Sequence, residues 1–113
     1  MREIKFRQWD SVYNIMHYNI GVSPEGWLGF PQVFWYRYPI MQYTGLKDKT
    51  GKEIYEGDIF KDDIWWVGKA VVEFENGMFC FLSEFDNDYV PINDCQRIEI
   101  IGNIYEHPLL TSE

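Results

Sequence analysis

The segment from Lys69 to Leu82, KAVVEFENGMFCFL, limits what this chain can fold into more than any other. Two arms rich in β-branched and aromatic residues flank Asn76-Gly77, the pair that takes positive φ at both central positions of a type I′ turn and so matches the twist of paired strands. The segment is a hairpin, and the rest of the chain follows its style. Ile4 and Phe6 alternate with Lys5 and Arg7, Trp9 precedes a turn at Asp10-Ser11, and VYNIMHYNI reads as the strand returning from it. GVSPEGWLGFPQ is broken by Gly and Pro, and VFWYRY is a short aromatic strand ended by Pro39. RIEIIGNIY is a further strand, in which Gly102 marks a bulge or a close backbone approach and after which Pro108 stops the run. Helical periodicity is absent apart from turn signals after Asn93 and in the tail. Five or six short strands separated by turns predict a mainly β chain closing into a small barrel.

The stretch Gly45 to Glu53, GLKDKTGKE, has the look of a phosphate-binding loop. It fails letter by letter. A Walker A loop requires G-x-x-x-x-G-K-[ST]; here Thr50 occupies the slot of the second glycine, Gly51 arrives one residue late, and Glu53 stands where the magnesium-binding hydroxyl belongs. Asp48-Lys49-Thr50-Gly51 also approaches the aspartyl-phosphate motif of ion-pumping ATPases, but Lys52 replaces its threonine and a chain of 113 residues has no room for that enzyme's domains. The remaining reading is a turn, with Asp48 bonding to the backbone that follows it, Gly51 supplying positive φ, and the lysines solvated. In YEGDIF, Gly57 turns the chain and Asp58 caps amides just before a strand. A lone carboxylate with no partner acid, base or metal is a structural residue.

Other chemistry is equally thin. Cys80 in MFCFL shares a strand face with Met78 and Leu82 and reads as a small buried apolar residue, while Cys95 follows Asn93-Asp94 in a loop. No C-x-x-C or H-x-x-x-H pair exists, so a zinc site would need both cysteines to meet His17 and His107 by chance. SEFDNDYVPIND places Val90 and Pro91 where an EF-hand loop requires an oxygen ligand and glycine, so it reads as a solvated acidic loop. No catalytic, metal or cofactor-binding residue is expected. There is no apolar run of membrane-spanning length, and MREIKFRQWD lacks the apolar core of a signal peptide, which predicts a cytoplasmic protein.

MREIKFRQWD, then MQYTGLKDKTGKEIYEGDIF, then IEIIGNIYEHP together resemble the YopX family of small phage and prophage proteins. The blocks fall at the beginning, middle and end of the chain, whereas residues 19–40 match poorly and look like a variable insertion. The resemblance implies an SH3-type barrel with an N-terminal β extension. On this reading residues 1–113 are one domain, with a hairpin and insertion over 1–40 and the barrel over 41–113. It implies no mechanism and carries over no catalytic residue.

Charge and aromatics bear on partners. Residues 1–52 hold seven basic and four acidic side chains and residues 53–113 hold three and fourteen, which is +3 against −11. Phosphates would be repelled over most of such a surface, so nucleic acid is disfavoured as a partner. Trp65 and Trp66 are adjacent in a strand and must point to opposite faces, and in VFWYRY Phe34, Tyr36 and Tyr38 oppose Trp35 and Arg37. Trp, Tyr and Arg are enriched at the energetic centres of protein interfaces, which makes Trp35, Tyr36, Arg37, Trp65 and Trp66 candidate contacts. The expectation is a non-enzymatic accessory protein that binds a host or phage protein or its own copies. The alternatives are a small-ligand binder or hydrolase built on scattered carboxylates, and an acidic mimic of nucleic acid directed at a host protein.

Overall fold

The structure, a computed structural model, describes residues 4–20, 39–62, 68–83, 88–92 and 98–110. Among these residues ten short strands run in chain order: β1 Phe6–Asp10, β2 Ile15–Ile20, β3 Ile40–Lys47, β4 Glu53–Tyr55, β5 Asp58–Asp62, β6 Gly68–Val71, β7 Glu73–Glu75, β8 Met78–Ser83, β9 Asp88–Pro91 and β10 Ile98–Asn103. A 3-10 turn at Pro108–Leu110 follows them. The protein is mainly β, as its turn-punctuated sequence predicts, and the strands form a curled half-barrel compatible with the SH3-type architecture. VYNIMHYNI divides into three residues of the loop tip, Val12, Tyr13 and Asn14, and the shorter β2. The arm KAVVEFE is interrupted at Val72, so that one sequence arm contributes both β6 and β7.

Every pairing is antiparallel, and the sheets are β2-β1-β3-β4, β10-β5-β6 and β7-β8-β9. The β7–β8 hairpin turns on Asn76 (φ 54°) and Gly77 (φ 78°), which is the type I′ geometry expected of Asn-Gly. Register shifts between Ile100 and Gly102 where β10 pairs with β5, so Gly102 does mark an irregularity in that strand.

Two apolar clusters result. Ile54, Phe60, Val72, Ile98 and Ile100 fill the barrel, with Leu46, Ala70, Phe81 and Ile92 packed around them. Burying each such aliphatic or aromatic side chain contributes about 1.5–3 kcal/mol. Trp9, Met16 and Met41 form a second cluster under the N-terminal hairpin, closed by Tyr105 stacked on Trp9 at 6.1 Å. The hairpin therefore rests on the chain's own β3 and on the segment after β10. Its buried face carries Arg7 and Trp9, whereas Ile4 is exposed.

Candidate functional site

The loop that mimics a phosphate site is held as a turn by one carboxylate. Asp48 Oδ1 accepts from the backbone N–H of Thr50 and of Lys52, each at 2.9 Å, and from the Thr50 hydroxyl at 2.7 Å. Its Oδ2 accepts from the Ile100 amide at 2.8 Å, and the Lys49 amide donates to the Ile98 carbonyl at 3.1 Å. The turn is thereby fastened along the outer edge of β10. Burial disfavours ionisation of Asp48, but the amide of Ile100, the Thr50 side chain and the amides of Lys52 and Thr50 outweigh it and hold the carboxyl below the usual range. The backbone amides from Asp48 to Lys52, which a phosphate loop would turn toward its ligand, all donate within the chain.

The turn Tyr55-Glu56-Gly57-Asp58 ties several segments together. Gly57 (φ 86°) reverses the chain, and a side chain there would meet Met41 as well as the strain of positive φ. The backbone reaches three other segments: Glu56 N–H donates to the Gln42 carbonyl, Gly57 N–H to the Val72 carbonyl, and Ile104 N–H to the Gly57 carbonyl. Asp58 Oδ2 accepts from the Tyr55 amide at 2.8 Å, the capping role its place in YEGD predicts. The partner is what sequence reasoning missed. Arg7 Nη2 bonds Asp58 Oδ1 at 2.8 Å, and each side chain is only 3% exposed. Arg7 also donates to the Glu56 carbonyl at 3.1 Å and lies 4.7 Å from the centre of the Tyr55 ring. Burial pushes the Asp58 carboxyl up, against the opposing charge of Arg7 and the Tyr55 amide. Arg7 lies 51 residues from Asp58 in a polar-looking strand; only its alternation with the buried Trp9 could have flagged it.

Around this pair the polar groups are also matched. Lys5 bonds Glu53 at 2.5 Å and lies over the Tyr43 ring at 4.9 Å. Tyr55 donates to Glu53 at 3.4 Å, and burial followed by the Glu53 charge pushes its phenol up to about 12. Two cations of the basic first half thus meet two carboxylates of the acidic second half inside one chain. With Arg7 and Asp58 sealed from solvent, the arrangement clamps the hairpin to the barrel. Among the described residues, no group of three or more His, Cys, Asp or Glu is placed to hold a metal ion. His17 contacts Asp10 at 3.3 Å, His107 Nδ1 accepts from the Asn103 amide at 3.2 Å, and Cys80 is buried in β8.

Among the described residues, the exposed large apolar side chains concentrate on the N-terminal segment. Ile4, Val12, Tyr13, Ile15 and Tyr18 are exposed, against Phe74 and Leu82 elsewhere among the described residues. Val12 (64% exposed) and Tyr13 (74%) occupy the hairpin tip. Asp10 Oδ1 fixes that tip by accepting from the amides of both residues, at 2.9 and 3.2 Å. Two open grooves lie on the barrel side. One, of about 370 Å³, is lined by Leu46, Phe74, Met78, Phe79, Pro91 and Ile92; the other, of about 380 Å³, combines Met41, Val72 and Tyr105 with Glu56, Glu73 and Glu75. Burial and then Glu75 push the Glu73 carboxyl up. Trp35, Tyr36, Arg37, Trp65 and Trp66 lie outside the described residues, as do Cys95 and the acidic stretch around Asp86.

The fold and these sites define a small half-barrel protein whose buried ionic groups serve its architecture. The family model described as YopX protein matches residues 28–111, and the chain belongs to that family. Among solved structures it is similar to protein EF1440 from Enterococcus faecalis, with 28% identity and a TM-score of 0.69 over 97% of this chain and 99% of that one. It is also similar to protein yopX from Bacillus subtilis, with 22% identity and a TM-score of 0.61 over 96% and 98% of the two chains. No curated protein matches it in sequence. No helix among the described residues is long and apolar enough to cross a membrane.

Proposed function

We propose that this protein is a non-enzymatic phage or prophage accessory protein acting in the bacterial cytoplasm as a small protein-binding module. The observation that carries this reading is the concentration of exposed apolar side chains on the N-terminal hairpin, with Val12 and Tyr13 held outward on a tip that Asp10 orders in advance. A contact surface ordered before binding loses less entropy on association. Two of the buried carboxylates support the same reading, since Asp48 and Asp58 bond amides and Arg7. Trp35, Tyr36, Arg37, Trp65 and Trp66 extend the proposed contact set by composition.

Capture on immobilised protein tests this, using the parent chain and a Val12→Ser/Tyr13→Ser variant side by side with lysate of the bacterial host. Proteins retained by the parent and lost from the variant support a binding module that uses the tip. Equal retention on both, or none on either, overturns the assignment of the hairpin tip.

A further inference from the structure

The two grooves on the barrel side share one residue, Phe74 of β7. Its side chain is 48% exposed and meets Phe79, its partner across the hairpin, edge to face with ring centres 4.9 Å apart. The break at Val72 puts it there. Gly57 N–H and Asp58 C=O hold the Val72 backbone, and beyond that point the chain leaves the β10-β5-β6 sheet to pair with β8, so Phe74 sits two residues past the place where the sheets part. On one side of it Leu46, Phe79 and Ile92 line a groove that carries no charged side chain. On the other, Met41 and Tyr105 share the lining with Glu56, Glu73 and Glu75. At about 370 and 380 Å³, both lie in the size range of sites that receive organic groups.

The carboxylates set the field beside Phe74. Burial and then Glu75 push the Glu73 carboxyl up. Glu75, followed by burial and Glu73, pushes the Tyr89 phenol up, and burial followed by Glu56 does the same to Tyr105 against the charge of Arg7. Groups on β7, on β9 and on the segment after β10 thus all feel negative charge.

We infer that the paired grooves around Phe74 are the docking site for a segment of a partner protein in which apolar side chains adjoin a lysine or arginine. This deepens the protein-binding reading and rests on it, using a surface separate from the hairpin tip. The apolar side chains fill the groove of Leu46 and Phe79. The cation enters the other groove, where it meets Glu56, Glu73 and Glu75 and the rings of Phe74 and Tyr105, and where it relieves the repulsion between Glu73 and Glu75. Anionic lipid and nucleic acid are repelled by the same carboxylates. Because the cation stays partly solvated, its pairs select the segment more than they add affinity.

Selection from a bead-bound library of random octapeptides tests the inference, using the labelled parent, Glu73→Gln/Glu75→Gln and Phe74→Ser, each checked for folding by circular dichroism. The parent should enrich sequences in which lysine or arginine adjoins leucine, proline or an aromatic residue. Glu73→Gln/Glu75→Gln keeps side-chain size and removes charge. It should lose the basic preference and bind a parent-selected peptide roughly tenfold more weakly at low salt, with the difference shrinking as salt is added. Phe74→Ser should lose the apolar preference; if it does not fold, the glutamine variant alone decides. No selection by the parent, selection of acidic or uncharged segments, or a basic preference that survives Glu73→Gln/Glu75→Gln overturns the inference. Groove variants that alter the protein's sedimentation would place a second copy there and overturn it as well. Tip-dependent capture of a host protein by a parent that selects no library peptide would overturn the groove assignment while leaving the binding-module reading intact.

Discussion

Replacing Arg7 with methionine removes the guanidinium while keeping an apolar side chain of similar length, and isolates the buried ion pair from the packing around it. The Asp58 carboxylate then stays within the fold, 3% exposed, with the Tyr55 amide as its remaining described donor. Breaking a buried pair from one side costs about 3–5 kcal/mol, because the surviving charge is left desolvated. Against a total stability on the order of 5–15 kcal/mol, that is a large loss. At roughly 4 °C for each kcal/mol, the melting temperature should fall by on the order of 15 °C. The loss depends on pH. The Asp58 carboxyl already sits above its ordinary value through burial, and losing Arg7 raises it further. A carboxyl with a raised folded-state pKa contributes stability that is full below its unfolded value, near about 3.9, and disappears as pH rises through the folded value. The gap between parent and Arg7→Met should therefore be widest at neutral pH and narrow as acid neutralises Asp58. Urea unfolding followed by tryptophan fluorescence near neutral and mildly acidic pH measures both quantities. Arg7→Met/Asp58→Asn should recover part of the loss, since no uncompensated charge remains. A single-variant cost below about 1 kcal/mol, or a gap that does not change with pH, would refute the clamp.

Asp48 should titrate with the opposite sign. Its lowered carboxyl contributes stability above the unfolded value that is lost as pH falls through the folded one, and Asp48→Asn should flatten that acid limb while costing about 2–3 kcal/mol at neutral pH, as read by chemical denaturation. Gly77→Val places a β-branched side chain at φ 78° with nothing within 4 Å of its Cβ, so a cost on the order of 1–3 kcal/mol in thermal unfolding would be backbone strain alone. Lys49→Ala and Lys52→Ala should each change stability by less than about 0.5 kcal/mol, and neither parent nor variants should hydrolyse ATP; hydrolysis lost in Lys52→Ala would restore the phosphate-loop reading.

Local features were legible in the sequence because their causes are local. Asn76-Gly77 dictates its own turn, Asp48 reaches amides two and four residues on, and YEGD reads as a capped reversal without any knowledge of the sheet. Three features were not legible, each because its cause lies far away in the chain. The break at Val72 depends on the Gly57-Asp58 backbone, which bonds Val72 through both N–H and C=O. The burial of Arg7 reverses what its charge suggests, and only a carboxylate 51 residues away makes it tolerable. The excess of positive charge in residues 1–52 does not reveal that the fold brings Lys5 to Glu53 and Arg7 to Asp58 within one chain. The hairpin tip carries a weaker signal: Asp10-Ser11 followed by VYN is a turn that leaves Val12 and Tyr13 outside, although VYN looks like the start of a strand.

The three sequence blocks that carry the family resemblance are also the ones that meet in space. Arg7 from the first bonds Asp58 in the second, Gly57 in the second accepts from Ile104 in the third, and Asp48 in the second accepts from Ile100 in the third. Such contacts demand specific residues: a guanidinium that fits one carboxylate, a glycine at positive φ, an aspartate with four donors around it. Side chains at a solvent-facing tip are under no comparable internal constraint, since Val12 and Tyr13 touch little of their own chain. The blocks that carry the resemblance thus coincide with joints that the fold buries. On the reading proposed above, contact chemistry falls to the surfaces those joints hold in place, beginning with the hairpin that Arg7 and Lys5 anchor.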